Sequence, residues 1–403
     1  MEAPQGGVTA LEAHKLTVSE ASRLIRGGEL SPSELLEGLL ERIDALESRL
    51  EAWVTVDREG ARAAAKRLSR EAEEGRIRGP LHGVPVGVKD IYYTAGLRTT
   101  MGSHIFRDFV PEKDAETVRT LKEAGAVILG KTETTEFAVR DPAPTRNPWN
   151  PEHSPGGSSS GSAAAVSSGM CPMALGTQTG GSVIRPASFC GVVGTKPTYD
   201  LISRDGIYPL SWSLDHVGFF TRTVEDAAIV LGVLTRGDPR AAPWIFERTE
   251  PPRLGFLRGY FQEKAREEVW DGFEDALDRL SGSGAEVVEV PQPGSFNAAQ
   301  ASHRVIMASE AASVHEGDFA IRRAEYRVNI RGHVSSGLLA PASAYLRAQR
   351  IRAKFIREVE AILGSVNCLL TPSAPTPAPW GLESTGNPAF NSPWSLCGFP
   401  TMT

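Results

Sequence analysis

The stretch that most constrains this chain runs Ser154-Pro155-Gly156-Gly157-Ser158-Ser159-Ser160-Gly161-Ser162-Ala163-Ala164-Ala165-Val166 and resumes as Gly176-Thr177-Gln178-Thr179-Gly180-Gly181-Ser182-Val183-Ile184-Arg185-Pro186. Residues this rich in glycine, serine and threonine supply little apolar surface, so a compact protein that carries them in mid-chain uses them to shape backbone. A flexible linker is the plain alternative. Against it, the glycines give way to the helix-forming run Ala163-Ala164-Ala165-Val166, and Ser182 is trailed by apolar residues down to Cys190-Gly191-Val192-Val193-Gly194. Linkers do not usually run into buried elements at both ends. The stretch therefore reads as loops held on a rigid scaffold, the usual seat of an active site.

The flanking sequence predicts that scaffold. Ser31-Pro32-Ser33-Glu34 is a capping-box pattern with proline at the first helical position, followed by Leu35, Leu36, Leu39, Leu40 and Ile43 at helical spacing. A strand is expected at 52–56, a charged helix at 58–74, and an alternating segment at 81–90 that delivers Lys89 to a strand end. Further on, a helix at 114–124 closes on Gly125 before a buried strand at 126–129; helices follow at 223–234 and 269–280, with strands at 254–257 and 286–290. Residues 297–326 and 342–363 read as largely helical, and 397–403 as entry into another strand, which suggests a longer native chain. Strands alternating with helices imply a layered α/β fold, and with 41% hydrophobic residues in 403 there is material for a large core. No long polar linker marks a domain boundary.

Several function classes are disfavoured. A net charge of −6 gives no footprint for nucleic acid or an anionic membrane, and the arginines Arg347, Arg350, Arg352 and Arg357 fit a solvated helix face. Cys171, Cys190, Cys368 and Cys397 form no CxxC pair and sit in mostly apolar surroundings, as expected of buried free thiols in a reducing compartment and not of disulfides or a zinc site. The first seven residues lack the pattern of a signal peptide, and no apolar run is long enough to span a bilayer, so a cytoplasmic location is expected. Gly125-Ala126-Val127-Ile128-Leu129-Gly130-Lys131-Thr132 spells a nucleotide-binding loop, but its middle residues are strand-like, whereas such a loop must follow a strand and open a helix.

A serine hydroxyl needs a base within hydrogen-bond reach and donors for the oxyanion it creates. Gly157-Ser158-Ser159-Ser160-Gly161 matches G-x-S-x-G, but no apolar strand precedes it, as a nucleophile elbow requires. The eight histidines are scattered, and only His82 and His153 lie near the loops of interest. No lysine follows a serine by three positions, which removes the S-x-x-K arrangement. Lys89 stands out because Val84, Val86 and Val88 carry it into a buried strand end, a position open to structural and chemical roles alike.

Taken together, Gly83-Val84-Pro85-Val86-Gly87-Val88-Lys89-Asp90, the two glycine-rich segments, Phe189-Cys190-Gly191-Val192-Val193-Gly194-Thr195-Lys196-Pro197-Thr198, Ser211-Trp212-Ser213-Leu214-Asp215-His216-Val217-Gly218 and Arg222-Thr223-Val224-Glu225-Asp226 resemble the amidase signature family, in its order from Gly83 to Asp226. The resemblance implies one large three-layer α/β/α domain over 1–403 with a mixed central sheet: N-terminal helices at 17–75, a signature core at 80–235, a variable substrate-side region at 240–365 and an incomplete C-terminal segment. It implies a Ser-Ser-Lys triad, with Ser182 as nucleophile, Ser158 as the bridging serine held by a cis peptide and Lys89 as base. The backbone N–H groups of Thr179, Gly180, Gly181 and Ser182 would form the oxyanion hole. Neither cofactor nor metal is implied, and the substrate-binding residues are not identified; the segments 208–212 and 297–333 are where they are expected. Three positions depart from the family pattern: Gln178 stands for Asp, Ser160 for Gly, and Arg185 follows Ser182 by three positions where two is more usual.

Three functions are compatible with these residues. The first is a free-standing amidase acting on a small carboxamide, with no nucleic acid or membrane partner and a homodimer as a compatible state. The second is the amidase subunit of a glutamine-dependent tRNA amidotransferase, which brings partner subunits and tRNA; Gln178 and the pair Thr134-Thr135, where those relatives carry Asp and Met-Asp, rank it lower. The third, a non-enzymatic anion-binding module, ranks last because all three triad positions are filled.

Overall fold

A computed structural model describes residues 10–238 and 250–403. The N-terminal segment read for a signal peptide and the first part of the region expected at 240–365 therefore lie outside, or partly outside, the described residues. Ten strands form two sheets: β1 (Trp53–Val56), β2 (Pro85–Lys89), β3 (Val127–Thr132), β4 (Met173–Gln178), β5 (Val193–Lys196), β6 (His216–Thr221), β7 (Arg253–Phe256), β8 (Glu286–Glu289), β9 (Cys368–Leu370) and β10 (Thr401–Met402). The larger sheet runs β1-β3-β2-β4-β6-β5-β10, parallel only across its centre β3-β2-β4 and antiparallel elsewhere. The expected mixed sheet is thus observed. A three-stranded parallel sheet, β8-β7-β9, stands apart from it.

Every residue of β2, β3, β4 and β6 is buried, as happens when helices cover both faces of a sheet. Alternation sorts the strand residues between two cores. Val86, Val88, Ile128, Met173, Leu175, Val217 and Phe219 face a cluster that includes α1 (Val18–Arg26), α4 (Glu116–Glu123) and α7 (Val224–Leu234). Val127, Leu129, Ala174 and Phe220 face the opposite cluster, with α2 (Pro32–Leu50), α3 (Arg58–Glu73), α5 (Ser160–Ser167) and α6 (Ile184–Cys190). A third core joins the small sheet to α8 (Gly259–Lys264), α9 (Glu267–Gly282), α10 (Phe296–Arg322), α12 (Ala342–Leu363) and α13 (Ser392–Cys397). Helix α11 (Val328–Leu338) packs beside α10.

Local chemistry explains many of the boundaries. Ser31 Oγ accepts from Glu34 N at 3.1 Å while a Glu34 carboxylate oxygen accepts from Ser31 N at 2.8 Å, the reciprocal cap expected from the sequence. Val127–Thr132 is a strand followed by loop, so the Gly125–Thr132 spelling is no phosphate loop; Lys131 is buried 3.3 Å from Asp90. The C-terminal strand pairs antiparallel with β5. Among the described residues there is no disulfide; Cys171, Cys190 and Cys397 are buried as expected, but Cys368, at the first position of a strand in the small sheet, is exposed. No described helix is long and apolar enough to cross a membrane.

Candidate active site

The two glycine-rich segments meet where β2 and β4 end. Lys89 is the last residue of β2, and because the sheet is covered on both sides its ammonium end stays inside: Lys89 is fully buried, and its Nζ lies 2.8 Å from Ser158 Oγ and 2.8 Å from Thr177 Oγ1. Burial disfavours the charged form and pulls the Lys89 pKa down to about 7; the nearby Asp215 pulls weakly the other way. Ser158 is fully buried and follows a cis Gly157–Ser158 peptide. The carbonyl of that peptide unit, Gly157 O, accepts from Arg185 Nη2 at 2.5 Å.

Ser182 lies just beyond β4. It is 9% exposed where Lys89 and Ser158 are sealed, and it lines a cavity of about 90 Å³. Its carbonyl accepts from Ser159 N at 3.4 Å, tying the two glycine-rich segments together. Among the described residues the N–H groups of Gly180, Gly181 and Ser182 donate no backbone hydrogen bond. The carbonyls of the same loop are pinned from outside: Thr179 O by His303 Nε2 at 2.8 Å, Gly180 O by Ser395 Oγ at 3.0 Å, and Gly181 O by Arg185 N at 3.0 Å. These carbonyls are thus held, and Thr179, Gly180, Gly181 and Ser182 all line the cavity.

Glycine at 181 answers a steric demand, since a Cβ there would lie 2.6 Å from Asn391 Oδ1. Gln178 takes the position of the family's Asp without touching the cavity. Its Oε1 accepts from Val183 N at 2.9 Å and Ile184 N at 3.0 Å, capping the turn into α6, and its Nε2 donates to Ser395 Oγ at 3.1 Å. A carboxamide thus supplies the acceptor that a carboxylate would, plus one donor. Ser160 donates to Gly156 O at 2.7 Å at the start of α5, also a local structural bond.

Asp215 fixes the far side of the loop, accepting from Thr179 Oγ1 at 2.6 Å and from Leu210 N and Ser211 N at 2.8 and 3.0 Å. The histidines singled out by position are structural: His82 Nε2 bonds Leu68 O and His153 Nδ1 bonds Ala378 O. His303, which sequence reasoning did not single out, reaches the site. Burial holds its pKa down to about 4, so it is neutral, and its contact with a carbonyl assigns the proton to Nε2. Gln300, His303, Arg304 and Met307 all line the cavity from α10, and their spacing of three and four residues, one helix face, was the available signal. Leu210, from the segment expected to contribute, lines it too.

Comparison with known proteins places these features in context. The family profile described as Amidase matches residues 34–398. The glutamyl-tRNA(Gln) amidotransferase A-subunit of Carboxydothermus hydrogenoformans is 34% identical over 437 aligned positions, covering 97% of this chain and 90% of that protein. A crystal structure described as an amidase superposes with a TM-score of 0.88 at 34% identity, over 96% of this chain and 91% of the other. The A-subunit of the Thermotoga maritima glutamyl-tRNA(Gln) amidotransferase gives a TM-score of 0.77 at 31% identity, over 97% and 88%.

Proposed function

Because this chain belongs to the amidase signature family, we propose that it breaks the C–N bond of a small carboxamide through an acyl-enzyme, with Ser182 as nucleophile, Ser158 as proton bridge and Lys89 as base. The observation that carries this reading is the sealed contact between Lys89 Nζ and Ser158 Oγ at 2.8 Å, with the lysine's pKa near 7. A neutral amine has one lone pair: it accepts the Ser158 proton while donating to Thr177 Oγ1, which suits its two partners. Ser158, relieved of its proton, takes that of Ser182, and Ser182 Oγ attacks the carbonyl carbon. The oxyanion is received by the N–H groups of Thr179, Gly180, Gly181 and Ser182. As the C–N bond breaks, the proton returns from Lys89 through Ser158 to the departing amine; water then attacks the ester by the same relay, releasing carboxylate and restoring Ser182.

The relatives favour the amidotransferase setting over the free-standing hydrolase that the sequence ranked first, since the amidotransferase relative aligns along nearly the whole chain. The residues behind that ranking lose their weight: Gln178 caps a helix, and Thr134 and Thr135 are buried, with Thr135 Oγ1 bonded to Val139 O, so none of them lines the cavity. In this setting the ammonia released at Ser182 would pass to a tRNA-bound acyl group on partner subunits. Both settings share the chemistry at the serine. The decisive experiment is Ser182→Ala together with intact-mass measurement of the wild-type protein under turnover: ammonia release should vanish in the variant and an acyl adduct should map to Ser182. Turnover that survives the substitution refutes the assignment, and ammonia release that requires co-expressed partner subunits and charged tRNA supports the amidotransferase setting.

A further inference from the structure

The cavity that Ser182 lines is strongly biased in charge. Arg140, Arg185 and Arg304 line it together with Gln300 and His303, and among the described residues no aspartate or glutamate does, in a chain whose net charge is −6. Neither Arg140 nor Arg304 is bonded to a carboxylate among the described residues. Arg185 is only 4% exposed; one of its nitrogens holds Gly157 O, and its Nε and Nη1 have no partner. Gln300 Nε2 is likewise buried without an acceptor. The buried unmet donors of Arg185 and Gln300 are costly unless something that accepts hydrogen bonds enters the space, and the exposed guanidiniums of Arg140 and Arg304 lining it favour an occupant with negative charge. Burial lowers the Arg185 pKa, and the charge of Arg140 lowers it further.

We propose that the acyl side of the substrate carries a carboxylate and no ammonium group, so that the preferred substrate is the monoamide of a short dicarboxylic acid. This rests on the amide-hydrolysis reading above in its free-standing form, not on the glutamine-dependent amidotransferase setting, and adds the identity of the acyl group. The guanidiniums receive the carboxylate, Arg304 and Arg140 at the cavity wall and Arg185 beneath it, while the scissile carboxamide meets Ser182 at the other end. A cavity of about 90 Å³ holds a few water-sized bodies, room for a chain of a few carbons. An α-ammonium, as in glutamine, would enter a space lined by arginines, with the Asp215 carboxylate beyond Thr179 already engaged by three hydrogen bonds, and pay for its desolvation.

The test uses three amides of one length: glutaramate, L-glutamine, which adds an ammonium, and pentanamide, which replaces the carboxylate by methyl. With the full-length wild-type protein, kcat/KM for glutaramate should exceed that for either of the others by about tenfold or more. Binding is read separately by calorimetry on the Ser182→Ala protein, which should select glutaramate and lose about ten- to hundredfold in affinity when Arg304→Met or Arg140→Met is added. Both side chains are exposed, so either substitution should leave the fold intact, checked by circular dichroism. Pentanamide used as well as glutaramate, or glutamine used better, overturns the proposal while leaving amide hydrolysis in place. Selective glutaramate binding by the Ser182→Ala protein without turnover by the wild type supports the anion pocket and refutes the hydrolytic reading instead.

Discussion

Lys89 Nζ and Ser158 Oγ stand 2.8 Å apart with neither residue reachable by solvent. In the proposed relay the amine exchanges protons with the serine and not with bulk water, and its low pKa keeps a large neutral fraction at neutral pH. Removing it takes away the proposed base, which touches Ser158. Lys89→Met should lower kcat by about 10²–10⁴-fold, the usual worth of a general base, while urea melts show a fold at least as stable, because a desolvated amine is replaced by an apolar chain. Steady-state kinetics and denaturation, measured on one preparation, decide it.

The pH profile follows from the same group. The proposed base works neutral and its pKa lies near 7, so the rate should climb with pH through about 7 and level off above it. His303 does not add a second limb in that range, since it stays neutral down to about pH 4. A kcat profile that declines between about pH 6 and 8 contradicts the assignment of Lys89.

Gln178 tests the loop by its acceptor alone. Gln178→Leu leaves Val183 N and Ile184 N without their partner and Ser395 Oγ without its donor, and should cost about 1–3 kcal/mol of stability together with a drop in kcat. Gln178→Glu keeps the acceptor and should retain more of both. Equal losses in the two variants would show that the cap does not position Ser182.

Gly181→Ala isolates the close approach. The new methyl would sit 2.6 Å from Asn391 Oδ1, displacing either the Asn391 amide or the loop itself, so kcat/KM should fall at least about tenfold even where the melting temperature changes little. Gly181→Ala combined with Asn391→Ala should recover part of the loss.

Lys131 offers a contrast with Lys89, since it faces Asp90 at 3.3 Å and donates to Tyr92 O and Thr99 Oγ1, both at 2.6 Å. Lys131→Met strands the Asp90 carboxylate in a dry interior and should destabilise the fold by about 3–5 kcal/mol, read from chemical denaturation. Two buried lysines on adjacent parallel strands thus differ by their partners: a carboxylate for one, hydroxyls for the other.

Much of this was legible from residue order. The cap of α2 depends on Ser31, Pro32 and Glu34 within a single turn, and the delivery of Lys89 depends on the alternation Val84, Val86, Val88; both are local, so sequence carries them. Strand β4 was not legible, because Met173-Ala174-Leu175-Gly176-Thr177-Gln178 has little intrinsic strand preference and is extended only because β2 and β6 flank it. The cavity wall on α10 was half legible: Gln300, His303, Arg304 and Met307 recur at helical spacing, yet nothing in that spacing says which face of the helix meets Ser182. Residue order alone offered candidate side chains for proton transfer and the places where glycines let backbone come close, since these are properties of residue type and neighbours. It took the packing of the whole chain to seal Lys89 against a serine 69 positions away, to make Gln178 a brace and not a ligand, and to gather three arginines around one small space. Burial, and with it the pKa and the cost of an unpaired charge, is set by what the rest of the chain packs against a group, and no local stretch contains that information.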